Sequence, residues 1–417
     1  MRCASTMLFA ICLFIGALSG ARVEAQSTMI LVGAASRSVT PAASVWIAGD
    51  APGRRSTGVH DDLFVKAVLF DDGKTPVAVL TVDCIGLHYP DVQRIRAAVA
   101  KAAVGVSLTP ERVIVCSTHC HSGPDVIGIW GQDRMHSGYE SAFVDSVIAK
   151  AAEAGAEAAA RRVAARIVHA ETSCSEWVVN ECEPGDLDSS VTILQCLDAT
   201  SGASIATLTN FACHPTIMDA ATSLLSADYI GPFYAHMSKS IPGEHLFLQG
   251  AIGGWVQPDK GNQTFEVAEL RGNDLATKSL AALRSAVPLP GTSIRFANRV
   301  ISIPAENEGF RQLSAAGIVK RDISEHIETE VAWFSIGEAQ FATHPGETAP
   351  AHGRATKEMM RSGPKFVIGL GLDELGYILK PEYFEAGRFP HAEYLTSMSP
   401  GPKAAPIMLE ALREIIP

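Results

Sequence analysis

The sequence predicts an α/β fold, a layered mixed β-sheet core flanked by helices. Three observations predict it. Apolar, β-branched runs of strand length recur between residues 64 and 369, and stretches of helical length fall among them. The two alternate irregularly, without the strict repeat that a (β/α) barrel requires. No internal repeat or low-complexity segment breaks the pattern.

Strand-like runs cover residues 64–69, 77–82, 112–117, 166–170, 190–197, 204–210 and 245–249, then 293–303, 331–336, 339–343 and 365–369. Most are rich in Val, Ile, Leu or Phe, as buried strands are. Helical stretches cover 91–102, the alanine-rich 142–162, 265–286, 350–361 and 405–415. Pro288-Leu289-Pro290-Gly291 reads as a surface turn inside one domain, because connections of that length are ordinary within domains.

The N-terminus follows the export pattern. Arg2 is followed by an apolar stretch from Met7 to Leu18, and Val23-Glu24-Ala25 precedes Gln26 as a small-residue cleavage site. Residues 1–25 are therefore expected to be a signal peptide and 26–417 a single domain, exported to the periplasm or secreted. The apolar core is too short to span a bilayer, and no later segment approaches about eighteen uninterrupted apolar residues, so no transmembrane segment is expected.

A net charge of -11 over 417 residues lacks the basic stripe of a nucleic-acid binder. Neither a phosphate-binding Gly-Lys loop nor a dinucleotide glycine fingerprint occurs. Two of the nine cysteines, Cys3 and Cys12, precede the cleavage site. The mature chain keeps Cys84, Cys116, Cys120, Cys174, Cys182, Cys196 and Cys213, an odd set that leaves a free thiol or an intermolecular bridge. Cys174 and Cys182 are a candidate disulfide pair; without any Cys-x-x-Cys, a thiolate zinc knot is not expected.

Four places carry chemistry. Cys116-Ser117-Thr118-His119-Cys120-His121-Ser122-Gly123-Pro124 closes a buried strand, and the two-residue period of a strand places His119 and His121 on one side. In Asn210-Phe211-Ala212-Cys213-His214-Pro215-Thr216 a proline stops the ladder and leaves His214 at a strand terminus. His344-Pro345-Gly346-Glu347-Thr348 puts a carboxylate between a strand and a helix, where it serves a site or merely meets the helix dipole. The fourth is Gly376-Tyr377, in the loop after the 365–369 strand.

Together these blocks, in this order, resemble the neutral (non-lysosomal) ceramidases, zinc amidases that hydrolyse the N-acyl bond of ceramide. Gly58-Val59-His60, Val82-Asp83, Ser226-Ala227-Asp228-Tyr229-Ile230-Gly231, Gly254-Trp255-Val256-Gln257-Pro258-Asp259 and Glu382-Tyr383 extend the resemblance through most of the mature chain. It implies the fold of the ceramidase catalytic domain, here without the C-terminal immunoglobulin-like domain of longer members. It also implies one Zn2+ per chain, held by His119, His214, Glu347 and Tyr377, with His121 as the catalytic histidine. Imidazoles and a carboxylate are ordinary zinc ligands; a tyrosine needs the dication to lower its phenol pKa.

The chain departs from the family at the substrate side. Gln257 stands where ceramidases carry an active-site serine, Asn180-Glu181 lies nearest to the family's arginine, and Phe389 replaces a second active-site tyrosine. Asp83 and Asp228 are candidates for orienting ligand imidazoles or for turn chemistry, and His60 and His344 for pocket or loop residues. The sequence thus reads as an exported zinc hydrolase that cleaves an N-acyl carbon–nitrogen bond by attack of zinc-bound water. A small-molecule or lipid-like acyl substrate other than ceramide is expected. A zinc esterase or lactonase on the same scaffold, or a non-catalytic metal-containing binding protein, remains open, as does the oligomeric state.

Overall fold

The computed structural model describes residues 29–259 and 261–417; the expected signal peptide, residues 1–25, lies outside the described residues. Its core is a nine-stranded mixed sheet. Across it run Glu244–Gln249, Ser204–Phe211, Ser190–Asp198, Val163–Ser173, Ile30–Ser38, Phe64–Asp71, Val77–Val82 and Val113–Ser117. The pairs at the two ends are parallel and those between are antiparallel. Every residue of Val77–Val82 and Val113–Ser117 is buried, which explains why these strands read as unbroken apolar runs rather than alternating ones. The sheet curls back on itself, so that Glu244–Gln249 touches Phe64–Asp71, Val77–Val82 and Val113–Ser117.

Helices Tyr89–Ala102 and Ser141–Ala160 pack together, and the second lies against Ile30–Ser38 and Phe64–Asp71. The approach is close along the C-terminal half of that helix, where the buried residues are Ala151, Ala154, Gly155, Ala158 and Ala159. At Gly33 any Cβ would sit 2.0 Å from the Ala158 carbonyl oxygen, so only glycine fits. On another side Ile230–Ser240 packs against Phe265–Leu283, which starts at Thr264, whose side chain accepts from the Val267 N–H at 3.4 Å.

A second, four-stranded sheet runs Ile294–Pro304, His326–Ile336, Ala339–Thr343 and Lys365–Ile368, with Ala404–Ile415 packed on its first two strands. Phe334, Phe341 and Phe366 stack through it at 4.5 and 4.3 Å. Asn210 joins the two sheets. Its side-chain N–H groups donate to the carbonyls of Leu248 (2.9 Å), Gln249 (3.3 Å) and Val367 (3.0 Å), and its oxygen accepts from Val367 N at 3.2 Å. The Arg96–Glu330 ion pair, nearly fully buried at 2.6 Å, ties the first helix to His326–Ile336.

The expected strands and helices all occur, but several elements escape the sequence reading. Ile30–Ser38 and Ile230–Ser240 were not expected, and the 166–170 run widens to Val163–Ser173. The proline-rich 288–291 turn begins as an edge strand, Val287–Pro288, paired antiparallel with Val163–Ser173. The candidate disulfide does not form: all seven cysteines are free and buried. Cys174 Sγ faces Asp274 Oδ2 at 3.8 Å, while Cys182 lies in a separate apolar cluster with Tyr377 and Tyr383. Among the described residues no helix is long and apolar enough to cross a membrane.

Replacing Asn210 with alanine should leave one N–H and up to three carbonyls without their buried partner. A loss of about 2–3 kcal/mol in urea unfolding is expected, with the slope unchanged.

Candidate metal centre

The chemistry-bearing residues lie just beyond the ends of strands. His119 and His121 follow Val113–Ser117, His214 follows Ser204–Phe211, and Glu347 follows Ala339–Thr343. Glu347 and Tyr377 are direct partners in a two-residue parallel ladder, Glu347–Thr348 with Tyr377–Ile378. The sheet framework therefore delivers four of the five from separate parts of the chain to one place.

One ring nitrogen each of His119, His121 and His214 lies within 4.8 Å of the others. His119 Nε2 is 3.2 Å from His121 Nε2. Glu347 Oε2 is 2.8 Å from His214 Nε2 and 3.5 Å from His119 Nε2. Four ligand atoms around a tetrahedral zinc with bonds of about 2.0–2.1 Å are about 3.3 Å apart. The separations seen bracket that value.

The tautomers follow from the other ring nitrogens. His119 Nδ1 is 2.5 Å from the Ile85 carbonyl and His214 Nδ1 is 2.7 Å from the Val256 carbonyl. A carbonyl only accepts, so both Nδ1 atoms carry a proton, and in the neutral ring each Nε2 is then the atom that offers a lone pair to a metal. His121 Nδ1 faces the Asp219 carboxylate at 3.4 Å, which assigns it the same tautomer. Three lone pairs and a carboxylate thus converge with no counter-charge of their own. That donor set fits a zinc ion.

Burial acts to raise the Glu347 carboxyl, yet the neighbouring His119 and His214 outweigh it and hold the group well below the usual carboxylate range. Burial pushes the Tyr377 phenol well above 10, and the Glu347 charge adds to this. The Trp255 indole N–H donates to the Tyr377 oxygen at 2.8 Å and works the other way. Burial lowers His121, with the Asp219 contact opposing.

His119 and His121 meet for a reason other than strand alternation. The strand ends at Ser117, and His119 adopts a left-handed backbone with φ of 69°. That turn, and not the period of a strand, brings both rings to the cluster. Asp219 (φ 38°) and Trp255 (φ 57°) share this strained conformation beside the site. Gly49 completes the packing: a Cβ there would lie 2.7 Å from the His121 ring, so the backbone passes where no side chain fits.

The remaining candidates divide. The carboxylates of Asp83 and Asp228 do not touch the imidazoles. Asp83 Oδ2 accepts from Phe64 N at 2.9 Å, and Asp228 accepts from Met218 N and Tyr229 N, both at 2.8 Å. Burial raises both to about 6. Main-chain carbonyls do the orienting that these acids were candidates for. Gln257 Nε2 donates to Glu181 Oε1 at 3.1 Å, and Phe389 stacks on Tyr383 at 4.2 Å in the apolar cluster that contains Tyr377. His344 is a core histidine between the hydroxyls of Thr348 and Thr356, and His60 stacks on Phe265.

Sequence reasoning missed Asp219, Arg54 and Trp255 as contributors. Arg54 is half-buried without a carboxylate partner and donates to the carbonyls of Ala48, Gly49, His121 and Asp219, at 2.7–3.2 Å. It thereby ties the three loops around His121. Nothing local marks these residues, because each works through partners distant in sequence.

No protein-family profile matches this sequence, and no curated protein is similar to it. Solved structures similar in fold include two ceramidases. One is the neutral ceramidase from Pseudomonas aeruginosa, with a TM-score of 0.75, 15% identity, and coverage of 93% of this chain and 74% of that one. The other is a ceramidase complexed with C2, with a TM-score of 0.77, 15% identity, and coverage of 93% and 75%. The chain therefore has the mixed α/β fold of the neutral ceramidases.

His119→Ala and His214→Ala are each expected to lose bound zinc, read by elemental analysis of the purified protein. Full occupancy in either variant would contradict the ligand set.

Proposed function

We propose that this protein is an exported zinc-dependent hydrolase of acyl compounds, cleaving a carbon–nitrogen N-acyl bond in a substrate other than ceramide. Residues 1–25 serve as its signal peptide and 26–417 as one hydrolase domain. The observation that carries the reading is the clustering of the His119, His121 and His214 imidazoles, two of them beside the Glu347 carboxylate, at the edge of a largely apolar cavity. The likeness to ceramidases supports the amide as the bond.

His119, His214, Glu347 and Tyr377 are proposed to hold the ion. When bound, it supplies Lewis acidity and a more acidic attacking water. His121 does the proton work. Its Nε2 accepts the proton of the attacking water and returns it to the departing nitrogen, while Asp219 keeps the Nδ1 proton in place. Its contact to Asp219 is longer than the carbonyl contacts of His119 and His214, and its side chain is the more exposed at 16%. That looseness suits a carrier that exchanges protons with solvent better than a ligand.

Gln257 and Glu181, which the resemblance assigns to the substrate side, are not among the residues that line the cavity at the cluster. A glutamine amide hydrogen-bonds but cannot act as a nucleophile, and it is already engaged by a carboxylate. This supports a leaving group different from the ceramide head.

The test is a screen of zinc-loaded protein on paired N-acyl amines and esters that share one acyl group. Turnover of the amides is expected; turnover of esters alone assigns an esterase, and none at all assigns a binding protein. His121→Ala should keep zinc and lose about two to four orders of magnitude in kcat. Loss of zinc in that variant would make His121 a ligand instead. Gln257→Ser should raise any residual ceramide hydrolysis, and an unchanged rate places the exclusion of ceramide elsewhere.

A further inference from the structure

The His119–His121 cluster opens on a cavity of about 100 Å³. Its walls are apolar, with Ile85, Ile127, Trp130, Phe310, Leu313 and Ile323 among them. Apart from the cluster residues and the exposed Asp50 and Tyr394, three polar side chains interrupt that lining: His88, Arg321 and Glu374.

Arg321 is fully engaged. Its guanidinium pairs with both oxygens of Asp373 at 2.8 and 2.9 Å and donates to the Glu328 carbonyl at 2.7 Å. The other two are not. Glu374 is 9% exposed and His88 5%, yet Glu374 Oε2 and His88 Nδ1 have no hydrogen-bond partner among the described residues. Glu374 Oε1 accepts from Gly376 N at 2.6 Å, so the carboxyl is held with one oxygen idle. An apolar cavity gains nothing from such atoms while it is empty, because each is desolvated without compensation. Retained pairs of this kind mark a group that a ligand is to satisfy.

Their position says where on the ligand that group sits. The Glu374 side chain packs on Gly86, where a Cβ would lie 2.5 Å from its Cγ. Gly86 follows Ile85, whose carbonyl holds His119 Nδ1. Glu374 therefore packs on the residue next to the one that holds His119, and His88 lies two positions further along the same segment. Among the described residues that line the cavity, the one guanidinium, Arg321, is already paired with Asp373, so an anionic ligand group finds no unpaired side-chain cation there. Burial and the Arg321 charge also lower His88 to about 3, and burial with the Glu347 charge raises Glu374 well above its ordinary value.

We propose, resting on the reading that this cavity receives the acyl part of the substrate, that Glu374 and His88 recognise an uncharged hydroxyl on the acyl chain beside the scissile carbonyl. The substrate class is then hydroxyacyl amides rather than plain alkanoyl amides.

The test is calorimetric titration of the zinc-loaded full chain with octanoate, 2-hydroxyoctanoate and 3-hydroxyoctanoate, which reads binding without turnover. One hydroxy acid is expected to bind at least about fivefold more tightly than octanoate, as an added buried hydrogen bond allows. That advantage should vanish in Glu374→Leu and in His88→Phe and survive in Glu374→Gln. The two removals are independent, so one that fails to fold leaves the other to decide. Equal affinities in the wild type, an advantage that outlives both removals, or no binding of any acid overturns the inference while leaving zinc in place. Absence of zinc from the wild type overturns the metal reading itself.

Discussion

Two main-chain carbonyls, those of Ile85 and Val256, govern the metal cluster. Each takes the Nδ1 proton of one imidazole and so turns the Nε2 lone pair of His119 and of His214 toward Glu347. Remove either carbonyl and the ring is free to flip or to change tautomer, and the convergence is lost. The strained turns serve this geometry. His119 reaches Ile85 only from a left-handed backbone, and Val256 meets His214 directly after Trp255, which is itself left-handed. Such conformations cost of order 1–3 kcal/mol each and persist only where their surroundings over-determine them.

The surroundings do so through burial. His119, His214 and Glu347 are all nearly inaccessible, so an ionised Glu347 is stable only because partners neutralise it. Protonated imidazoles can do that, but then their Nε2 atoms no longer offer lone pairs. A cation resolves the conflict, since it satisfies the carboxylate and the neutral imidazoles together. Tyr377 follows the same logic: burial and the Glu347 charge disfavour its phenolate, and only a neighbouring dication reverses that.

Much of this was legible in the sequence, and the limits have physical causes. Strands such as Val77–Val82 and Val113–Ser117 announce themselves because burial on both faces forces unbroken apolar composition. Ile30–Ser38, with Gly33, Ala34, Ala35 and Ser36, hides because a helix packs too closely over it for large side chains. The ordered blocks around His119, His214, Glu347 and Tyr377 pointed to one site, and the geometry brings the first three into contact and sets Tyr377 beside Glu347. The orienting groups stayed hidden. A backbone carbonyl has no side-chain signature, and Asp219 meets His121 across ninety-eight positions of chain. Acidic residues near histidine blocks, Asp83 and Asp228, attracted the role instead, although their carboxylates cap backbone N–H groups.

This division between backbone and side chain bears on how the site changes its substrate. Gln257 and Glu181 stand where the resemblance places a serine and an arginine, and they contact each other across the ladder of Val178–Asn180 with Val256–Pro258. The same ladder supplies the Val256 carbonyl that holds His214. A carbonyl is indifferent to the side chain that bears it, so residues around it can be exchanged while the imidazole keeps its tautomer. The serine hydroxyl and arginine cation are replaced here by an amide and a carboxylate that satisfy one another, which leaves no orphaned polar group behind. Polarity of a different kind enters on the other side of the cluster, at His88 and Glu374. Because the Ile85 and Val256 carbonyls anchor the two imidazoles through the main chain, the side chains around them can change without disturbing the rings.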